Sequence, residues 1–170
     1  MKARAVWRGL CVAVSVLAGI LVAAPASVAA TDTARLAAEG IDSSELAPGW
    51  SIVGDEIWWD DGEVRRSLGD AELAPCPTGY LCLYADADLL GDRWVTSRTN
   101  VYHYLAPYGW HNRVSSWVNR TATDARWWYY ESGSPNPYRC MNPGTGEEHM
   151  SAADNDQMST VHLYTSAAIC

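Results

Sequence analysis

The segment CPTGYLCLYADADLLGDRW, residues 76–94, decides the fold. Cys76 and Cys82 stand on either side of a Pro-Thr-Gly turn, and Tyr84 is followed seven residues later by Gly91. Pro and Gly favour tight turns, and the apolar and aromatic residues around Cys82 favour a β-strand. The segment therefore predicts a short strand that is entered through a cross-linked turn and that leads to a second turn at Gly91.

The first 30 residues have the three-part layout of a secretory signal peptide. MKARAVWRG is basic, LCVAVSVLAGILVAA is a continuous apolar run, and PASVAA supplies small residues before a cleavage point near Ala29 or Ala30. A retained anchor is the alternative, but the run of about 15 residues is shorter than the roughly 20 that span a bilayer. We expect a secreted, extracellular protein without membrane attachment after cleavage.

The charge of the chain argues against two classes of partner. The sequence has 12 Lys and Arg against 20 Asp and Glu, a formal net charge of -8. Cleavage of the signal would remove Lys2, Arg4 and Arg8 but no acidic residue. So acidic a chain repels the phosphates of nucleic acids and of anionic lipid. We expect no nucleic-acid partner, and solubility outside the cell is the simplest role of this charge.

The cysteines predict two disulfide bonds. Cys11 leaves with the signal peptide, and the others are Cys76, Cys82, Cys140 and Cys170. An even number in a secreted chain indicates disulfides. Of the possible pairings we favour Cys76–Cys82, which closes a small turn, and Cys140–Cys170, which ties down the last residue. A zinc site is the alternative, but the spacings do not fit zinc-finger patterns.

The rest of the chain divides by composition into a lead-in, a hairpin and one β-rich domain. Residues 31–49 lack aromatic residues and predict a flexible lead-in with a short helix around Thr33 to Glu39. Residues 50–74 predict a β-hairpin around Asp-Asp-Gly and a linker. In residues 75–170 short aromatic and β-branched runs alternate with turn residues, without a helical period. We expect an all-β domain there.

A weak internal repeat points to two similar motifs. HNRVSSWVNRT begins at His111 and NDQMSTVHLYT at Asn155, an offset of 44 residues. At the same offset Tyr84 falls on Trp128, but Gly91 falls on Pro135, which breaks the match. Two copies are too few for a solenoid. They are enough for two β-motifs packed together.

Two motifs carry a resemblance to a known family. The unit Cys-Pro-x-Gly-x-Leu-Cys-x-Tyr, residues 76–84, resembles the opening of the streptomycete-type metalloproteinase inhibitors of peptidase inhibitor family I36. SSWVNRT, residues 115–121, is similar to a stretch common in secreted actinobacterial members. The resemblance implies a βγ-crystallin-like double Greek-key sandwich, here with an N-terminal β-hairpin, and a monomer. It covers about residues 50–170.

The resemblance gives the opening segment a physical explanation. In such a Greek key an aromatic residue packs across the first hairpin, and a glycine further on allows a close backbone passage at positive φ. Tyr84 and Gly91 hold these positions, whereas Leu89 stands where a second aromatic is usual. Asp86 and Asp88 lie at the hairpin tip, where a solvated turn is their expected role.

The sequence offers little for catalysis. The cysteines are assigned to disulfides, there is no Gly-x-Ser-x-Gly elbow, and the histidines lack zinc-enzyme spacing. We expect a protein that is not an enzyme, and that needs no cofactor for its function.

Calcium is the one cofactor that the sequence leaves open. The βγ-crystallin calcium pattern is two Asn or Asp, two free positions, then Ser or Thr and Ser. NDQMST fits except at its last residue, and HNRVSS fits except at its first. Oxygen ligands suit this hard cation, and the candidates are Asn112, Ser115, Asn155, Asp156 and Ser159. Alternatively these side chains only hydrogen-bond the turns.

The family resemblance implies inhibition of an extracellular metallopeptidase by a rigid loop that enters the cleft like a substrate. The analogous stretch is ESGSPNPYRCMNPG, residues 131–144, whose prolines stiffen the chain. Its predicted inhibitory residues are Ser134, Pro135, Asn136, Pro137, Tyr138, Arg139, Cys140 and Met141. Cys140 has no second cysteine within a few residues, so the closed loop of the family is missing.

A third class of function is binding to the cell wall or to carbohydrate without inhibition. Trp58, Trp59, Trp127 and Trp128 form adjacent pairs, and on a strand one member of each pair must point away from the core. An outward tryptophan can stack on a sugar ring, or it can be covered by the hairpin or a loop. We keep a calcium-binding or wall-associated crystallin-like module as the alternative to the inhibitor.

Overall fold

Short β-strands make up most of the regular structure. The computed structural model describes residues 26–69, 75–131 and 137–170, with side chains from residue 30. Most of the predicted signal peptide and the linker residues 70–74 lie outside them. Helix α1 (Ala26–Ala38) precedes the strands β1 (Ser51–Val53), β2 (Glu56–Trp59), β3 (Val64–Ser67), β4 (Leu81–Tyr84), β5 (Arg93–Thr96), β6 (Tyr102–Tyr104), β7 (Ser116–Asn119), β8 (Ala125–Trp128), β9 (Tyr138–Met141), β10 (Gly146–Glu147) and β11 (Thr160–Leu163).

Two Greek keys form a sandwich of two antiparallel sheets. Strands β4 to β7 make the first key, and β8 to β11 the second. Sheet 1 has the order β1-β2-β3-β5-β4-β7-β10, and sheet 2 has the order β6-β11-β8-β9. The third strand of each key, β6 or β10, therefore pairs in the other key's sheet. This exchange confirms the predicted βγ-crystallin-like double Greek-key sandwich.

The repeat at an offset of 44 residues reflects the relation between the two keys. The N–H of Ser115 donates to the carbonyl of Tyr84 at 2.9 Å, and the N–H of Ser159 donates to the carbonyl of Trp128 at 2.9 Å. Both donors and both acceptors are repeat-related. The sequence similarity therefore marks the same strand-to-turn contact in each key.

The predicted hairpin is present and is part of a larger element. Strands β2 and β3 flank the Asp-Asp-Gly turn, whose residues Asp60, Asp61 and Gly62 all have positive φ. A Cβ at residue 62 would lie 2.7 Å from the ring of Trp58, so glycine is required there. Strand β1 adds a third strand, and β3 pairs with β5. The hairpin is thus continuous with sheet 1.

The lead-in differs from the flexible segment that we predicted. Helix α1 extends to Ala38 and packs on the domain through Leu36, which is 0% exposed. The chain after the helix packs on the domain through Ile41 and Leu46, each 8% exposed. The N–H of Ala47 donates to the carbonyl of Pro107. These apolar residues are too widely spaced to form a periodic stripe, so composition alone did not reveal their burial.

Aromatic and aliphatic side chains fill the space between the sheets. The largest fully buried residues include Trp94, Trp110 and Trp127. A chain with nine Trp and nine Tyr but no Phe builds its core from the indoles and leaves many tyrosines at the surface. Three of these exposed tyrosines, Tyr102, Tyr104 and Tyr138, lie in strands of sheet 2.

Candidate inhibitory segment and binding surfaces

The predicted inhibitory segment is a strand over half of its length. Ser134, Pro135 and Asn136 lie outside the described residues, and Pro137 is exposed. Tyr138–Met141 form β9, which pairs with β8 at the edge of sheet 2. The prediction of a loop over these four residues is therefore wrong. These residues pair with β8, from Trp128 back to Ala125. The prolines nearby in the sequence gave no indication of this pairing.

The side chains of β9 alternate between the two faces of sheet 2. Met141 is fully buried against the core, opposite Ala125. Tyr138 and Cys140 point to the outer face, and Arg139 reaches along the edge to the carboxylate of Asp154 at 3.1 Å. The exposed part of β9 thus presents one aromatic ring, one cation and one disulfide.

The C-terminus holds β9 in place. Cys140 is bonded to Cys170, as predicted, which links the edge strand to the last residue of the chain. The buried carboxylate of Asp124 accepts hydrogen bonds from the N–H groups of Ile169 at 2.8 Å and Cys170 at 2.9 Å. The guanidinium of Arg126 donates to the carbonyl of Ile169. A distant covalent bond thus replaces the missing local loop closure.

The opening segment has the geometry that was predicted for it. Cys76 and Cys82 are bonded, and Tyr84 is 3% exposed beneath the hairpin, where burial raises the pKa of its hydroxyl. Gly91 has φ 74°, and a Cβ there would collide with the carboxylate of Asp86. The role of the glycine is therefore steric as well as conformational.

The two calcium-like motifs face one another across the repeat axis. The N–H of Asn112 donates to the carbonyl of Met158 at 3.0 Å, and the N–H of Asp156 donates to that of Val114 at 3.0 Å. Asn112 and Asp156 both have positive φ. The motifs are thus brought together by a symmetric pair of backbone hydrogen bonds.

The side chains of these motifs bind mainly to the protein itself. The hydroxyl of Ser159, 1% exposed, donates to the carbonyl of Tyr129 at 2.7 Å and lies 2.9 Å from Nε2 of His111. The amide of Asn155 donates to the carboxylate of Asp156. Across the three described stretches, no group of three or more His, Cys, Asp or Glu side chains is placed to hold a metal ion. Any cation here would depend on backbone and hydroxyl oxygens.

The histidines differ in burial and in surroundings. His103 is 1% exposed under Trp94, and burial lowers its pKa to about 4. Burial also lowers the pKa of His162 on β11. His149 is exposed beside Asp88 at 2.9 Å. Nε2 of His103 lies 3.3 Å from the hydroxyl of Thr96, and both side chains are buried.

The tryptophan pairs divide between core and surface as strand alternation requires. Trp59 and Trp127 are 3% and 1% exposed, whereas Trp58 and Trp128 face outward and are half-buried. Trp58 is covered by the guanidinium of Arg65, 4.7 Å above its ring. Of these four tryptophans, Trp128 alone therefore contributes to an open aromatic surface.

That surface is the outer side of sheet 2, here called the aromatic face. By strand register its outward positions are Tyr102, Tyr104, Arg126, Trp128, Tyr138, Cys140, Thr160 and His162. Tyr102, Tyr104 and Tyr138 are 53%, 45% and 46% exposed. Sequence reasoning missed this face, although alternation in β6 and β11 could have indicated it once their register was known.

Comparison with known proteins supports the family resemblance. Residues 69–141 match peptidase inhibitor family I36, and comparison with the curated proteins gave no match. A solved structure from a study of the evolution of the eye lens βγ-crystallin domain fold is 21% identical, with a TM-score of 0.48, and the alignment covers 60% of this chain and 97% of that one.

Two further solved structures are similar at the same level. A βγ-crystallin from Ciona intestinalis is 19% identical with a TM-score of 0.42, over 50% of this chain and 99% of that one. Spherulin 3A from Physarum polycephalum is 20% identical with a TM-score of 0.41, over 55% and 90%. The fold assignment itself rests on the strand order described above.

The family match spans both motifs on which the resemblance depends. It includes the Cys76–Tyr84 unit and ends at Met141, the last residue of the predicted inhibitory segment. The family is one of peptidase inhibitors, which implies a peptidase as the kind of partner and an inhibitor rather than an enzyme. Over residues 69–141 the chain is therefore similar to peptidase inhibitor family I36.

Proposed function

We propose that this protein is a secreted inhibitor of an extracellular metallopeptidase and that Ser134 to Met141 enter its cleft. The observation that carries the proposal is the match to peptidase inhibitor family I36, whose span contains this whole segment. The Cys76–Tyr84 unit, which resembles the metalloproteinase inhibitors, favours a metallopeptidase over other classes.

The edge position of β9 suits this role. Among the described residues, strand β9 pairs with β8 alone and forms an edge of sheet 2. In an antiparallel pair, every second residue turns its N–H and C=O away from the partner strand. An extended peptide can add to another protein's strand through such free groups, as a substrate chain does. Tyr138 and Arg139 thus both present exposed side chains, and one of the two also turns its backbone N–H and C=O toward a cleft.

The scaffold also gives a reason why such a segment would act as an inhibitor and not as a substrate that is cleaved and released. The pairing with β8 and the Cys140–Cys170 bond hold Tyr138–Met141 in place before binding, which lowers the entropy lost on association. If the peptidase cuts the chain before Cys140, the disulfide and the strand pairing keep the new end in place. The cut product then dissociates slowly.

Secretion is supported by the chemistry of the cysteines. Bonds such as Cys76–Cys82 and Cys140–Cys170 persist in oxidising compartments. No helix among residues 26–69, 75–131 and 137–170 is long and apolar enough to cross a membrane. Together with the signal-like N-terminus of the sequence, the disulfides favour an exported inhibitor.

The test is a titration of a thermolysin-type metallopeptidase with the purified protein, with subtilisin as the enzyme of another class. We expect metallopeptidase activity to fall to zero near a molar ratio of one, and subtilisin to be unaffected. Pro137→Gly loosens the segment and should raise Ki at least tenfold, whereas Pro143→Gly, just beyond it, should not. No inhibition at a large molar excess removes the proposal.

Calcium binding remains a second proposal, favoured by the symmetric contact between the two motifs. Asn112 Oδ1 lies 3.3 Å from the hydroxyl of Ser159, so oxygens of both motifs converge there. We propose that calcium would stabilise these turns without taking part in inhibition. A melting temperature several degrees higher in millimolar calcium than in chelator supports this, and equal melting temperatures exclude it.

A further inference from the structure

The aromatic face is held together by its own contacts. Ring centroids are 5.5 Å apart for Tyr102 and Trp128, 6.2 Å for Trp128 and Tyr138, and 4.4 Å for Tyr102 and His162. Arg126 lies 4.3 Å from the ring of Tyr138.

Tyr164, at the end of β11, closes the circuit. Its ring is 4.3 Å from that of His162 and 5.5 Å from the guanidinium of Arg126. Each group therefore has a neighbour on both sides, and the surface is ordered before any partner arrives. Rigid aromatic groups of this kind bind with little loss of side-chain entropy.

The charge of the face is unlike that of the chain. The sequence has 20 Asp and Glu against 12 Lys and Arg, yet within the four strands of sheet 2, all of them described, no outward position carries a carboxylate. The cation of Arg126 lies at its centre. Enrichment in Tyr, Trp and Arg together with depletion of Asp, Glu and Lys is typical of protein interfaces and their energetic centres.

The geometry favours a protein over a sugar polymer. Neighbouring rings on the face are inclined by 50°, 52° and 50° for the Tyr102–Trp128, Trp128–Tyr138 and Tyr102–His162 pairs. A flat glycan chain needs rings that lie in one plane, whereas inclined rings form projections and hollows. Such relief fits the irregular surface of a folded protein.

The size of the face indicates a supporting role. Four strands about 4.8 Å apart and about four residues long project on the order of 200 Å². A stable interface buries about 800 Å² on each partner. The face is too small to hold a partner, or a second copy of this chain, by itself. It must act beside another contact, and Tyr138 belongs both to this face and to the inhibitory segment.

We propose that the aromatic face is a second docking surface for the peptidase, outside its catalytic cleft. The inference rests on the proposed inhibitory function and adds to it. The inhibitory segment occupies the cleft, and the rim of the same enzyme, presenting apolar or weakly acidic residues, packs on Tyr102, Tyr104 and Arg126. The face thereby selects among enzymes whose clefts are alike.

The experiment measures Ki and dissociation rate against the thermolysin-type enzyme for two variants of the full chain. Tyr104→Glu places a carboxylate on the face without removing any ring of the circuit, and Tyr102→Ala opens the circuit. Leu90→Glu is the matched control, since Leu90 is 39% exposed and lies in a turn of the first key, away from sheet 2. Circular dichroism and melting temperature verify that each variant folds.

We expect Ki to rise at least tenfold for both face variants, mainly through faster dissociation, and to stay within twofold for Leu90→Glu. Unchanged Ki in both variants while the wild type inhibits overturns the second surface but leaves the inhibitory segment intact. A wild type that does not inhibit removes both proposals.

Two further outcomes would reassign the face. Retention of the wild type on insoluble chitin or peptidoglycan that Tyr104→Glu abolishes, without a change in Ki, assigns it to a glycan. A dimer seen by light scattering that Tyr104→Glu converts to a monomer, with Ki again unchanged, assigns it to self-association. Either result overturns the proposal.

Discussion

The guanidinium of Arg66 lies 3.7 Å from the carboxylate of Asp92, and the two side chains are 5% and 16% exposed. Arg66 belongs to the N-terminal hairpin, whereas Asp92 lies in the first Greek key, within the residues that match the family. Burial lowers the pKa of Arg66 to about 10, repulsion by Arg113 acts in the same direction, and Asp92 opposes both. Asp92, which also accepts a hydrogen bond from Arg113 at 2.9 Å, thus connects the hairpin to the first Greek key through a buried ion pair.

Asp92→Asn is expected to destabilise the protein by about 3 kcal/mol, because it leaves the buried cation of Arg66 without its counter-charge. Urea denaturation followed by tryptophan fluorescence measures this. Asp55→Asn is the control, since Asp55 is 89% exposed in its pair with Arg35 and such pairs contribute little. Equal effects of the two changes would show that burial of Arg66 does not matter.

The lead-in should contribute to stability as part of the core. Leu36→Ala removes a fully buried side chain where α1 meets the domain, and we expect a loss of about 3 kcal/mol. Val53→Ala, at a position that is 43% exposed, should cost far less. Thermal and urea unfolding give both values. If Leu36→Ala has no effect, residues 31–49 are loosely attached in solution.

Local chemistry explains what could be predicted from the sequence. The Cys76–Cys82 turn, the positive φ at Gly91 and the Asp-Asp-Gly hairpin depend on neighbours within a few residues, so their residue types indicate the structure directly. The repeat predicted two keys because equivalent turns need equivalent donors.

The features that could not be predicted from the sequence depend on pairing between residues that are far apart in the chain. Whether Tyr138 lies in a loop or a strand depends on its register with Trp128, and neither residue type specifies that register. The burial of Leu36 likewise depends on a distant surface. The aromatic face joins residues from four strands, so it exists only once the sheet order is known. These are non-local features without a local signature.

Acid should destabilise the protein through His103. Its pKa is about 4 in the folded state against about 6.5 when unfolded. Above pH 6.5 the imidazole is neutral in both the folded and the unfolded state, so it does not reduce the free energy of unfolding. As pH falls toward 4, the unfolded state binds a proton that the folded state does not bind. The free energy of unfolding therefore falls by about 1.4 kcal/mol per pH unit.

His103→Gln should flatten the dependence of unfolding free energy on pH between 6.5 and 5, a range in which most carboxylates are still ionised. His149→Gln is the control for the loss of an imidazole from the surface, because the side chain of His149 is 66% exposed. Urea midpoints at several pH values give the slopes. Parallel curves for wild type and His103→Gln would contradict the assignment.

The two disulfides should differ in what their loss changes. Cys140–Cys170 closes a separation of 30 residues and Cys76–Cys82 one of 6. By loop entropy, their removal costs about 3–4 and about 2 kcal/mol. Cys140 also fixes the edge strand that carries part of the proposed inhibitory segment, whereas Cys82 lies in β4 of sheet 1 and Cys76 lies just before that strand. Cys140→Ser/Cys170→Ser should therefore raise Ki by more than the fraction of unfolded protein accounts for. Cys76→Ser/Cys82→Ser should lower the melting temperature with little change in Ki. Ki measured at a temperature where both variants remain folded separates the effects, and an equal rise in both would mean that the C-terminal bond has no special part in presenting β9.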